Sequence, residues 1–104
     1  MGDRMANYMA TVELRLAGSA EYEQLDLSMG QRGYVRKITG EDGVIYQLPA
    51  GMYFVTNSSA KLEVALRAAV EAAEETGKKA GVMVTEWREV SWSGLARDGE
   101  AKGG

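Results

Sequence analysis

The first regular feature of the chain is an alternation. Over residues 8–16, Ala10, Val12, Leu14 and Leu16 fall on one side while Thr11, Glu13 and Arg15 fall on the other, the period of a half-buried strand. Gly18 interrupts it. Ser19 is a favourable N-cap, Glu21 and Glu23 suit the positive end of a helix dipole, and Tyr22, Leu25 and Met29 recur at helical spacing, so a first helix is expected over residues 19–32, ended by Gly33. Residues 34–39 predict a second strand. Gly40-Glu41-Asp42-Gly43 is strong turn chemistry, residues 44–48 are again extended, and Pro49-Ala50-Gly51 breaks the chain before a strand over 52–56. Asn57, Ser58 and Ser59 offer N-caps for a second helix. Its apolar stripe is expected to be Leu62, Leu66, Ala69, Val70 and Ala73, with Lys61, Arg67, Glu71, Glu74 and Glu75 toward water and Gly77 at its end. Residues 80–85 alternate into a last main strand, and residues 90–92 are placed to fold back on it through a turn near Arg88-Glu89.

Strand, helix, strand, strand, helix, strand is the split βαβ order. It predicts an α+β, ferredoxin-like βαββαβ fold: an antiparallel sheet with two helices on one face and an extra central hairpin. The other sheet face is then left open or covered by a partner. Residues 1–7 read as a flexible leader, 8–95 as the domain and 96–104, rich in Gly, Asp, Glu and Lys, as a disordered tail.

Composition narrows the chemistry. The chain has 104 residues, 45% of them hydrophobic and only one a proline, enough for one modest packed core. Cysteine is absent, which removes disulfides and thiolate nucleophiles. Histidine is absent too, and with it the commonest general base and transition-metal ligand. A zinc site and a Ser-His-Asp hydrolase are excluded. The net charge of −3 lacks the overall basic footprint of a nucleic-acid binder, so any such surface must be a local patch. No apolar run is long enough to span a bilayer and no secretory core precedes the first strand, so a cytoplasmic protein without membrane contact is expected. No glycine-rich phosphate loop is present, and no cofactor or resident metal is expected.

Few positions carry candidate chemistry. Glu41 and Asp42 are adjacent carboxylates that could hold Mg²⁺, but the Asp-Gly pair is also explained by hairpin geometry alone. Arg32, Arg36 and Lys37 cluster around the second strand and, with Arg15, could form a phosphate-contacting stripe; pairing of Arg15 with Glu13 across strands is the competing reading. Tyr53 and Phe54 are neighbours and so point to opposite sheet faces, unlike the same-face aromatic pair of an RNA-stacking strand. Trp87 and Trp92 read as packing residues of a terminal hairpin. Tyr46 and Tyr53 flank the Pro49 turn, where a hydroxyl could donate a proton.

The run Ile38-Thr39-Gly40-Glu41-Asp42-Gly43, then Tyr46-Gln47-Leu48-Pro49 and Tyr53-Phe54, resembles small bacterial proteins of the GhoS family. The resemblance extends over roughly residues 8–95 and also touches Thr76-Gly77-Lys78-Lys79 and Val84-Thr85-Glu86. It implies a ferredoxin-like fold. It also implies an antitoxin of a type V toxin–antitoxin system that cleaves the toxin's messenger RNA as an endoribonuclease. On that reading the partner is single-stranded RNA rather than DNA. RNA cleavage needs a base for the 2′-hydroxyl, a cation for the phosphorane and an acid for the leaving oxygen. A ribonuclease of this family would present basic residues on its first helix, whereas this stretch carries Glu21, Glu23, Gln24 and Asp26, with only Arg32 at its end. The candidate cations are therefore Arg32, Arg36 and Lys37, and the acid–base or metal candidates are Glu41 and Asp42. The alternative is a non-catalytic module that uses an open sheet face or edge to dimerise or hold a protein partner.

Overall fold

The structure, a computed structural model, describes residues 5–99. Its elements run β1 (Ala6–Leu14), α1 (Ser19–Gln31), β2 (Lys37–Thr39), β3 (Ile45–Gln47), β4 (Met52–Ser58), α2 (Leu62–Glu74) and β5 (Ala80–Trp87). β1 is the central strand, antiparallel to β4 on one side and to β5 on the other; β2 and β3 form a separate antiparallel hairpin. This is an α+β fold consistent with the ferredoxin-like type. The expected fourth sheet strand shrinks to one bridge: Val35 N–H donates to the Phe54 carbonyl at 2.8 Å and accepts from Phe54 N–H at 2.7 Å. Beyond Val35 the chain leaves the sheet to build the β2–β3 hairpin.

Sequence explains the first half of the helix layer well. The Glu21 side chain accepts from Gly18 N–H at 2.8 Å, so the N-cap is Gly18 and Ser19 already lies in the first turn. At the other end Gly33, with φ +89°, closes a Schellman motif: Tyr34 N–H reaches the Met29 carbonyl and Gly33 N–H the Gly30 carbonyl. Leu25 and Met29 are fully buried against Ala10, Val12, Leu14 and Tyr53.

The second helix buries only part of the expected stripe, Ala69 and Ala73, and turns Ala65 and Ala72 inward in place of the larger side chains. Ala65, Ala69, Ala72 and Ala73 are its buried face. Leu62 and Leu66 are 46% and 39% exposed and Val70 is only half buried. They form an i, i+4, i+8 row beside the alanines. Small side chains let the helix lie close on the sheet, and Tyr34 and Tyr53 fill the remaining volume; the Tyr34 hydroxyl donates to the Ala65 carbonyl at 2.9 Å. The helix start also differs. Asn57 and Ser58 belong to β4, and the N-cap is Lys61, which makes no side-chain cap.

Both chain ends depart from expectation. β1 begins at Ala6, inside the expected leader, whose residues 1–4 lie outside the described residues. Residues 90–92 do not pair with β5. Residues 96–98, expected in the tail, instead hydrogen-bond along β3: Gln47 N–H to the Ala96 carbonyl and Asp98 N–H to the Ile45 carbonyl, both at 2.8 Å. Hairpin backbone groups left over from β2 pairing attract this segment, and side chains fix it, with Lys37 and Gln47 both on Asp98. The rest of the expected tail, residues 100–104, lies outside the described residues.

Four carboxyls are held below their ordinary range: Glu21 by the Gly18 N–H, Asp42 by the Val44 N–H, Glu75 by the Arg32 guanidinium and Asp98 by the Gln47 amide and Lys37. Their folded values lie below their unfolded ones. Their stabilisation is therefore complete above the unfolded value and lost as pH falls through the folded one, which places the loss below about pH 4. With no histidine, no side chain titrates at its ordinary value between about pH 5 and 8. Thermal midpoints should accordingly change little across that range and fall progressively toward pH 3, as circular dichroism melts at stepped pH will show. A midpoint rising on acidification would contradict these assignments.

Candidate nucleic-acid interface

The sheet face opposite the helices is set by register. Ala10, Val12 and Leu14 point into the helix layer, so their β1 neighbours point the other way: Met9 stands between Phe54 and Thr85, Thr11 between Met52 and Met83, and Asn7 opposite Trp87. Phe54 and Trp87 pack together with ring centroids 5.1 Å apart. They join Val35, Lys37, Ile38, Thr39, Glu41, Arg88, Glu89 and Trp92 around a cleft of about 970 Å³ between the sheet, β2 and the segment after β5. Phe54 is buried, Trp87 and Trp92 are half buried, and Lys37, Glu41, Arg88 and Glu89 are exposed. Trp92 stands edge-on to Tyr46 at 5.6 Å, so the two tryptophans face different partners rather than each other. The buried Trp87 indole N–H has no hydrogen-bond partner among the described residues.

A second hollow, of about 410 Å³, lies on the other side of residues 35–37 and shares Val35 and Lys37 with the cleft. Its wall is a three-element cluster. The Tyr53 hydroxyl on β4 donates to Asp26 Oδ1 on α1 at 2.5 Å; Arg36 Nη1 donates to Asp26 Oδ2 at 3.0 Å and Arg36 Nη2 to the Leu48 carbonyl at 2.8 Å. Burial and the Asp26 carboxylate push the Tyr53 hydroxyl far up, so it is a hydrogen-bond donor and not a base. The cluster ties Arg36, the neighbour of Lys37, to α1 and to the Leu48 carbonyl.

The expected site residues do not form one centre. Arg32 joins the helices, its Nη2 2.9 Å from Glu75 Oε2. Arg36 belongs to the Asp26 cluster. Lys37 borders both hollows and pairs with Asp98 at 3.2 Å. Glu41 lines the cleft, while Asp42 caps the hairpin turn, accepting from Val44 N–H at 2.9 Å and from the Tyr46 hydroxyl at 3.0 Å. Arg15 lies apart, at the end of β1 beside Lys79. Among the described residues no group of three acidic side chains is placed to hold a metal ion. Sequence reasoning missed Asp26, Arg88 and Glu89. Asp26 carried a signal: it sits four residues after Tyr22 and three before Met29, a carboxylate in the buried row of a helix. Arg88 and Glu89 read only as turn residues.

The family model described as "Endoribonuclease GhoS" matches residues 1–93 of the chain. Among curated proteins none matches it. Among the described residues no helix is long and apolar enough to cross a membrane.

Proposed function

The chain belongs to the GhoS endoribonuclease family, and from that premise we propose that it binds single-stranded RNA in the cleft beside β2 and cleaves it there. The observation that carries this reading is the make-up of the cleft: two cations, Lys37 and Arg88, two carboxylates, Glu41 and Glu89, and the edges of Trp87 and Trp92 share one concave surface on an otherwise acidic protein. Cations attract the phosphate chain and indole rings take unpaired bases. A carboxylate withdraws the 2′-hydroxyl proton, that oxygen attacks the adjacent phosphorus, a cation offsets the phosphorane charge, and the second carboxyl protonates the departing 5′-oxygen. Glu41 and Glu89 are assigned the acid–base roles, and Lys37 and Arg88 the electrostatic one. Arg36 positions Lys37; Arg32 and Asp42 remain structural. An antitoxin-like regulatory role in the cytoplasm goes with this reading.

Labelled single-stranded transcripts provide the test. Lys37→Ala with Arg88→Ala should weaken binding and make the salt dependence shallower by about 1.4 in log–log slope, the loss of two phosphate contacts. Glu41→Gln with Glu89→Gln should leave binding in place and slow cleavage by roughly 100-fold or more. RNA left intact and unbound at high protein excess and low salt would sink the proposal.

A further inference from the structure

We propose that residues 96–98 act as an autoinhibitory strap: the Asp98 carboxylate holds the Lys37 ammonium away from the RNA cleft, and a phosphate of bound RNA must displace it. This rests on the RNA-cleft reading and deepens it by naming what regulates that site.

Register brings the three side chains together. Lys37 and Gln47 are partners across β2 and β3, so both leave the same face of the hairpin. Asp98 closes that face: Lys37 Nζ stands 3.2 Å from Asp98 Oδ2, and Gln47 Nε2 donates to Asp98 Oδ1 at 3.2 Å. Gln47 lines the second hollow and not the cleft, whereas Lys37 borders both. The ion pair thus draws the ammonium toward Gln47, at the hollow rather than at the cleft. The carboxylate is held in place by backbone as well. Asp98 N–H donates to the Ile45 carbonyl and Gln47 N–H to the Ala96 carbonyl, both at 2.8 Å, so the strap lies along β3. The Gln47 amide and Lys37 keep the Asp98 carboxyl below its ordinary range, so it carries its charge at neutral pH. The contact can nonetheless open. The Lys37 side chain is 57% exposed and that of Asp98 31% exposed, and ion pairs open to water are weak. A lysine is a point charge on a flexible four-carbon stem, free to swing from one hollow to the other. A polyanion that meets Arg88 in the cleft brings phosphates within reach as competitors for it. Residues 96–98 also lie beyond residues 1–93, the span matched by the family model, so the strap stands outside the matched part of the chain.

Asp98→Asn in the full chain keeps the side chain's shape and an acceptor for Gln47 Nε2 while removing the charge. At low salt it should tighten binding of a labelled single-stranded transcript by about 3- to 5-fold, with the thermal midpoint nearly unchanged. The gain should require Lys37: in a Lys37→Ala background, Asp98→Asn should change affinity by less than about 1.5-fold. Glu74→Gln makes the same change in net charge on α2, outside the cleft, and should do no more than that. An Asp98→Asn protein that binds no better than wild type, or worse, overturns the strap and makes Asp98 a support for Lys37 rather than a competitor. A gain that survives Lys37→Ala, or that Glu74→Gln matches, also overturns it, since bulk charge is then the cause. If wild type binds RNA and Asp98→Asn adds nothing, the cleft reading stands and the strap alone falls; if neither protein binds RNA at low salt, both fall.

Discussion

Gly51→Ala should lower the thermal midpoint by roughly 15 °C, a cost of about 3 kcal/mol. Gly51 is buried at the entry to β4 with φ +83°, a left-handed conformation in which a β-carbon is strained. Its carbonyl accepts from Val12 N–H at 2.7 Å, so the loop is drawn tightly onto β1. A β-carbon there would collide with the Val12 carbonyl oxygen and stand 3.5 Å from the Tyr22 ring. The colliding atom is backbone in the central strand, so relief requires moving β1 or the loop rather than rotating a side chain. Gly43→Ala is the control. Gly43 has a similar φ of +80° in the hairpin turn but nothing near the added carbon, so only the conformational cost of about 1 kcal/mol remains. Chemical denaturation of both variants separates the two contributions. Equal losses would show that the β1–loop contact yields freely and that packing at Gly51 matters no more than its backbone angle.

The features readable from sequence were those with a strict local cause. Alternation over β1 and β5, the Gly33 stop of α1 and the Gly40–Gly43 turn each follow from backbone geometry that particular residues favour. The face of α2 is only partly legible: Ala69 and Ala73 lie on the expected stripe and are buried, but hydrophobicity ranks Leu62, Leu66 and Val70 above Ala65 and Ala72, which are buried instead. Two stripes overlap on that helix, and the choice between them rests on how close the sheet lies and on the volume Tyr34 and Tyr53 occupy from other elements. The segment after β5 was misplaced for a related reason. Residues 96–98 have no strand character of their own; they are held because β3 offers unpaired backbone groups and because Lys37 and Gln47 meet at Asp98. The candidate site suffers most from this limit. Lys37 and Glu41 were singled out from a local charge cluster, but Arg88, Glu89 and Trp92 reach the same cleft only through the course of the chain after β5. The cluster beside Lys37 joins positions 26, 36 and 53, far apart in the chain.

Asp26→Ala should cost about 2–3 kcal/mol, because it strands two partners at once. The Tyr53 hydroxyl, on a side chain 1% exposed, loses its acceptor. The Arg36 guanidinium keeps the Leu48 carbonyl but loses its carboxylate, and its Nε already lacks a partner among the described residues. The Arg36–Asp26 pair is about one-third exposed, so water takes up part of the loss, which holds the figure below that of a fully buried ion pair. Tyr53→Phe removes the hydroxyl and leaves Asp26 with Arg36, costing about 1 kcal/mol. The double variant should then be less damaging than the sum of the two by about 1 kcal/mol, since the orphaned hydroxyl is gone. The same cycle separates a structural staple from a device that serves RNA. Asp26 does not line the cleft, yet it holds Arg36, the chain neighbour of Lys37, which does. At a temperature where every variant is folded, Asp26→Ala should weaken RNA binding by several-fold, whereas Tyr53→Phe alone, which leaves Arg36 on Asp26, should leave it nearly unchanged. If Tyr53→Phe instead weakened binding in proportion to its loss of stability, the cluster would act on the cleft only by keeping the protein folded.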